Sequence, residues 1–250
     1  MSADFIHLHL HTEYSLVDGI LRIKPLVQAV ADAGMPAVAV TEQGNLFSAV
    51  KFYRAAMAAG VKPVIGADLA MFNDADPNQP SRLVLLCQNI EGYRNLSRLV
   101  TRSYVDGRVR GGPMLLPDWL DDGADGLIAL SAGRNGDVGL ALLAGRSDDA
   151  ARRLEAWRAR FPNRFYLELQ RTGREDEDTY LALALELAES CDVPVVATND
   201  VRFLSAVDFQ AHEARVCIQQ GRTLVDPRRP RQYSEQQYLR SPAEMAQLFA

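Results

Sequence analysis

One pattern occurs three times in this chain and constrains its fold more than any other feature: an amphipathic helix leads into an apolar strand that ends in an acid. In the first copy a helix with Pro25 in its first turn carries Leu26, Val27, Val30 and Ala33 and stops at Gly34. Ala37-Val38-Ala39-Val40 follows and ends at Thr41-Glu42. A second helix, about 46–59, closes on Gly60 and leads through Pro63-Val64-Ile65-Gly66 to Asp68. In the third copy a helix at about 177–189 passes into Val195-Val196-Ala197-Thr198 and Asp200. Further strands are expected at about 83–87, 127–131 and 164–169. Ile6-His7-Leu8-His9-Leu10-His11 alternates strictly, which on a first strand places three histidines on one face and the aliphatic residues on the other.

Seven strands alternating with helices predict an α/β fold, a parallel seven-stranded (β/α)7 barrel of distorted TIM type. An open doubly wound sheet is the competing architecture, but the chain has no Gly-rich phosphate loop to support it. In a parallel barrel the C-terminal strand ends converge on one mouth, where His9, His11, Glu42, Asp68 and Asp200 are expected to share a site. Imidazole and carboxylate together suit zinc, manganese or iron.

Composition narrows the function classes. With 27 Lys+Arg against 32 Asp+Glu, a net charge of -5 and 48% hydrophobic residues, the chain is neither disordered nor built for strong global attraction to nucleic acid. Cys87, Cys191 and Cys217 show no CxxC spacing, so neither a disulfide framework nor a zinc ribbon is indicated. The N-terminus lacks the basic and apolar regions of a signal peptide, and no apolar run approaches the ~20 residues that span a bilayer, so a cytoplasmic location without membrane contact is expected.

Residues 221–250 differ in character. Asp226-Pro227-Arg228-Arg229-Pro230-Arg231 is a basic, proline-punctuated turn, read as a solvated one. Ser241-Pro242-Ala243-Glu244 then opens a capped helix that has barely begun at Ala250. The expected organisation is a barrel over about 1–220 and an extension over 221–250 that leads into a longer polypeptide.

His7-Leu8-His9-Leu10-His11-Thr12-Glu13-Tyr14-Ser15-Leu16-Val17-Asp18-Gly19, Thr41-Glu42-Gln43-Gly44-Asn45, Lys62-Pro63-Val64-Ile65-Gly66 and Thr198-Asn199-Asp200-Val201-Arg202-Phe203 resemble the motifs of the PHP (polymerase and histidinol phosphatase) family. Within it, they look most like the N-terminal PHP domains of bacterial DNA polymerase III alpha subunits. The resemblance runs through the whole chain, including Phe209-Gln210-Ala211-His212-Glu213.

It implies a barrel whose mouth holds a multinuclear metal site. His9, His11, Asp18 and Asp200 match ligand positions, and Asp68 stands where the family usually has glutamate. Gln43, Arg82 and Arg202 stand at histidine positions, and Gly133 where cysteine or histidine is expected. The chain holds four histidines, and three lie on the first strand, too few to build such a site from several strands. The His9, His11, Asp18, Asp68 and Asp200 set therefore reads as vestigial, with no catalytic residue in this segment. Arg82 and Arg202 would supply the positive charge that metals once gave and neutralise Asp18, Asp68 and Asp200.

His7 reads as a hydrogen-bonded core residue, and Tyr14, Tyr53 and Tyr166 as packing residues. Glu168 is compatible with either an interior or a solvent position.

The resemblance further implies a catalytically degenerate module of a replicative polymerase, serving as structural support and as a docking surface for a proofreading exonuclease subunit alongside other holoenzyme subunits. DNA contact and a magnesium-dependent nucleotidyl-transfer site would belong to the rest of the parent chain, with no cofactor in this segment. The alternative is an active phosphoesterase, a 3'-5' exonuclease or pyrophosphatase, using zinc or manganese on His9, His11, Asp18, Asp68 and Asp200. A free-standing enzyme similar to histidinol phosphatase fails on the same missing ligands.

Overall fold

The structure is a computed structural model that describes residues 5–73, 76, 79–109 and 112–250. The first four residues, part of the N-terminus in which no signal peptide was read, lie outside the described residues. Strands β1 (Ala37–Gln43), β2 (Lys62–Met71), β3 (Ser81–Cys87), β6 (Leu127–Leu130), β7 (Phe165–Gln170) and β8 (Val195–Thr198) form a curled sheet in the order β1-β2-β3-β6-β7-β8. A small hairpin of β4 (Arg108–Val109) and β5 (Gly112–Pro113) stands apart. The helices are α1 (Ile23–Asp32), α2 (Ala49–Ala58), α3 (Ile90–Val105), α4 (Asp137–Leu143), α5 (Ser147–Arg160), α6 (Glu177–Cys191), α7 (Phe209–Gln220) and α8 (Pro242–Leu248). No helix among the described residues is long and apolar enough to cross a membrane.

The α/β barrel expected from the sequence is present, with two departures. Strand β3 runs antiparallel to both β2 and β6, so the sheet is not wholly parallel. The segment of residues 7–11 closes the barrel but forms no regular strand. On one side Ala39 N donates to His7 O and Thr41 N to Leu10 O, both at 2.8 Å; on the other, His11 N donates to Val201 O at 2.9 Å. The ladder is interrupted because Leu10 N bonds the Thr41 hydroxyl, at 2.9 Å, in place of a carbonyl.

Alternation also breaks there. Leu8 packs inside the barrel with Ala39, Val64, Val84, Leu86, Ile128, Leu130, Tyr166 and Val196, whereas Leu10 joins the core under α1 and α2. The three histidines therefore do not share a face: His9 and His11 reach the mouth, while His7 Nε2 bonds Arg240 O at 2.8 Å.

Every strand of the curled sheet contributes to the interior apolar layer, while the intervening residues Leu69, Leu83, Leu85, Leu127, Ala129, Phe165 and Leu167 face the surrounding helices. This period-2 division sets what stands above the layer. Asp68 follows the parity of Val64, Glu168 that of Tyr166, and Thr198 that of Val196, so all three rise from the apolar floor into the mouth.

Candidate metal centre at the barrel mouth

The mouth is a cavity of about 690 Å³ whose lining includes His9, Asp18, Gln43, Asp68, Arg82, Arg174, Asp200, Arg202 and Tyr233. Glu42, expected here, is absent from it. It shares the outward parity of Val38 and Val40, and its buried carboxylate accepts from Thr12 N at 3.0 Å and Ser15 Oγ at 2.6 Å. Glu42 thus fixes the loop that carries Asp18 and is not part of the site. Gly133 follows β6 and packs against Gln170.

Each acid in the mouth already has a cation. Asp68 is held by Arg82 through two contacts, Nε to Oδ1 at 2.9 Å and Nη2 to Oδ2 at 2.8 Å. The pairing follows from register: Asp68 lies opposite Val84, so Arg82 is its diagonal neighbour, within reach of a long side chain. Arg202 Nη1 donates to Asp18 Oδ2 at 2.6 Å while its Nη2 donates to Asp200 Oδ1. Arg174, from the loop after β7, donates to Asp200 Oδ2 at 2.9 Å.

Burial alone would raise the pKa of these acids. For Asp18 the charges of Arg202 and His11 outweigh it, for Asp68 that of Arg82, and for Asp200 those of Arg202 and His9, so all three stay below the usual carboxylate range.

The two histidines are oriented by carboxylates. His9 Nδ1 bonds Glu168 Oε1 at 2.7 Å, and His11 Nδ1 bonds Asp18 Oδ1 at 2.9 Å. Both Nε2 atoms lack a hydrogen-bond partner and face Asp68 Oδ2, at 3.5 Å from His9 and 3.3 Å from His11. Burial opposes charge on His9, yet the negative charges of Glu168 and Asp200, the nearby Asp68 and the hydrogen bond to Glu168 prevail and push its pKa up to about 10.

Sequence reasoning missed Arg174, Tyr233 and Gln237, and left Glu168 open. Tyr233 donates to Asp18 Oδ2 at 3.0 Å and Gln237 Nε2 to Asp200 Oδ2 at 2.9 Å, both from the C-terminal 30 residues. The β7 parity was the available signal for Glu168. His212, on α7, is buried outside the site and bonds Asp18 O at 2.8 Å.

His9, His11 and Asp68 offer ligand atoms within 4.8 Å of one another, a possible site for one ion. Asp18 and Asp200, the other aspartates of the mouth, are engaged by guanidiniums, as Asp68 is by Arg82. The guanidiniums of Arg82, Arg174 and Arg202 place three permanent positive charges among Asp18, Asp68, Glu177 and Asp200.

The chain is 54% identical over 250 residues to the DNA polymerase III subunit alpha of Pseudomonas aeruginosa, covering 100% of this chain and 21% of that protein. It is 49% identical over 246 residues to the same subunit of Escherichia coli K12, covering 98% and 21%. It thus spans about a fifth of the length of these curated relatives. A solved structure from Bifidobacterium adolescentis, described as a metal-dependent phosphoesterase, superposes with a TM-score of 0.52 at 11% identity over 79% of this chain and 87% of that one, a likeness of fold. The PHP domain pattern matches residues 7–172, and the chain belongs to the PHP domain family.

Proposed function

We propose that this chain is a catalytically degenerate PHP module of a replicative DNA polymerase alpha subunit, in which arginines have taken over the electrostatic role of metal ions. It serves as structural support for the polymerase and as a docking module for a proofreading exonuclease subunit. Nucleotidyl transfer, its magnesium and the principal DNA contacts lie elsewhere in the parent chain. The observation that carries the reading is Arg202, which grips Asp18 and Asp200 at once from a position where the resemblance places a histidine.

The consequence is a barrel that is complete without metal. A buried guanidinium that pairs with two carboxylates is permanently charged and cannot be chelated away. An ion bound only by the native state would stabilise it by roughly 4 kcal/mol at ~1,000 times its dissociation constant, so its removal would be plain in a melting curve. Metal analysis of the purified chain is expected to give less than stoichiometric zinc, manganese or iron, and EDTA to leave Tm unchanged. A clear EDTA-induced drop, or metal-dependent phosphodiester hydrolysis abolished by His9→Ala, would replace this reading with the phosphoesterase.

One observation favours a limited form of that second reading. The unpartnered Nε2 atoms of His9 and His11, with Asp68, offer three donors to a single ion. Such an ion, when bound, supplies Lewis acidity and an activated water. Against it stands Arg82, which engages both oxygens of Asp68.

A further inference from the structure

The segment of residues 233–240 is tied to the barrel mouth by the same acids that the arginines hold. Two carboxylate oxygens each accept twice. Asp18 Oδ2 takes Arg202 Nη1 and the Tyr233 hydroxyl, and Asp200 Oδ2 takes Arg174 Nη1 and Gln237 Nε2. Asp200 stands at φ +45°, in the left-handed region that non-glycine residues occupy when their surroundings hold them there. Gln237, fully buried, grips both its carbonyl oxygen, at 3.1 Å, and its carboxylate.

Backbone pairing extends the attachment along residues 201–203. Arg202 N donates to Gln237 O at 2.8 Å and Leu239 N to Phe203 O at 3.1 Å. The buried Asn199 amide spans Gln236 O and Tyr238 O, both at 2.8 Å. Helix α8 follows at once, opened by the capping box of Ser241 and Glu244. On the other side, residues 221–232 are mostly exposed and form a slack connection to α7.

Such an attachment can open locally. Its bonds are polar and directional, and its apolar anchors are few: Leu239 is half-buried, and Met245 is the buried side chain of α8. A segment of this kind lifts at a lower cost than the core strands beside it. Its hold also depends on the mouth, because Arg202 bridges Asp18 and Asp200 and so sets where their remaining lone pairs point.

We propose that segment 233–240 is a latch: Asp18 and Asp200, locked by Arg202, hold Tyr233 and Gln237 and thereby fix where helix α8 leaves the barrel. The acids of the mouth thus act as the anchor of a strap, and Tyr233 and Gln237 are positioning residues. The latch goes beyond the support and docking roles proposed above, since it concerns contacts within this chain alone. Coupling between the mouth and α8 is reciprocal, so loosening either loosens the other.

The test is hydrogen exchange on the parent chain, read in peptides covering 234–249 with those of β1, β2 and β3 as reference. Tyr233→Phe with Gln237→Leu removes the side-chain attachments at nearly constant size. Exchange across 234–249 is expected to rise roughly tenfold or more, with the reference strands unchanged. Asp18→Asn, a substitution in the mouth, should raise exchange in 242–248 as well. Combining it with the double variant should add little, the signature of one shared attachment. The double variant leaves every charged group of the mouth in place, so the experiment stays decisive if Asp18→Asn fails to fold. Unchanged exchange in the double variant would show that backbone pairing with 201–203 alone holds the segment, and would overturn the latch. A rise shared equally by β1, β2 and β3 would mean general destabilisation and would overturn it too. Loosening of α8 by the double variant but not by a folded Asp18→Asn would overturn the coupling to the mouth.

Discussion

Arg202 and Asp18 meet at 2.6 Å although 184 residues separate them in sequence. Asp18 lies on the loop after the segment that closes the barrel, and Arg202 lies just beyond the last strand. The contact therefore forms only when the two ends of the sheet come together, and it ties barrel closure to the electrostatics of the mouth.

Arg202→Ala is expected to destabilise the chain by about 3–5 kcal/mol, since it leaves the buried carboxylates of Asp18 and Asp200 short of a partner. Arg202→Lys should recover part of the loss, because an ammonium restores the charge without the fork that reaches both acids. Urea unfolding of the three proteins checks this. Equal midpoints for the unaltered chain and Arg202→Ala would show that the pair contributes nothing.

Strand ends made Asp68 and Asp200 legible in the sequence, and the helix-to-strand repeat made most of the barrel legible, because period-2 and period-3.6 patterns report directly on which face is buried. Glu42 was misplaced because a strand end was counted without its parity: Gln43, one residue later, is the side chain that lines the mouth. The antiparallel course of β3 left no mark, since a run such as Leu83-Val84-Leu85-Leu86 reads the same in either direction. Arg174 and Tyr233 were invisible for another reason. Each comes from an irregular segment, where no periodicity says which way a side chain turns, and the partners lie 26 and 215 residues away.

The pH dependence of stability should be two-sided. Asp18 and Asp200 have folded pKa values below the unfolded one, so their contribution is complete above the ordinary carboxylate range and is lost progressively as pH falls from there to the lower folded values. His9 behaves in the opposite sense. Its folded pKa of about 10 lies above the unfolded value near 6.5, so its contribution is full below pH 6.5 and declines as pH rises toward 10, by about 1.4 kcal/mol for each pH unit. His7, held by burial at about 4, adds loss on the acid side as pH falls from 6.5 toward 4. Melting temperatures from pH 5 to 10 should therefore fall on the alkaline side in the unaltered chain and stay flatter in His9→Asn. Identical alkaline slopes would show that His9 is not charged in the folded state.

The double substitution Arg82→His with Arg202→His returns imidazole to two positions where the family resemblance places it. In EDTA this variant should melt below the unaltered chain, because Asp68, Asp18 and Asp200 lose permanent cations. Added manganese or zinc should then raise its Tm while leaving that of the unaltered chain in place. A variant as stable as the parent in EDTA would mean that the arginines do not substitute for metal charge.

Gly19→Ala probes the loop that places Asp18. A Cβ on Gly19 would overlap the carbonyl oxygen of Thr12, a backbone atom that no rotamer change can move aside. Thr12 is itself fixed, since its N–H and hydroxyl both bond the buried Glu42. The strain must therefore displace Asp18 from His11 and Arg202, at a cost of roughly 1–3 kcal/mol. Gly34→Ala is the control. Gly34 closes α1 at φ +68° with nothing within 4 Å of an added Cβ, so its cost is confined to a left-handed backbone, about 1 kcal/mol. Both variants should lower Tm, but only Gly19→Ala should move the imidazole NMR signals of His11. Movement of those signals in both variants, or in neither, would show that the Thr12 to Gly19 contact does not govern the geometry of the mouth.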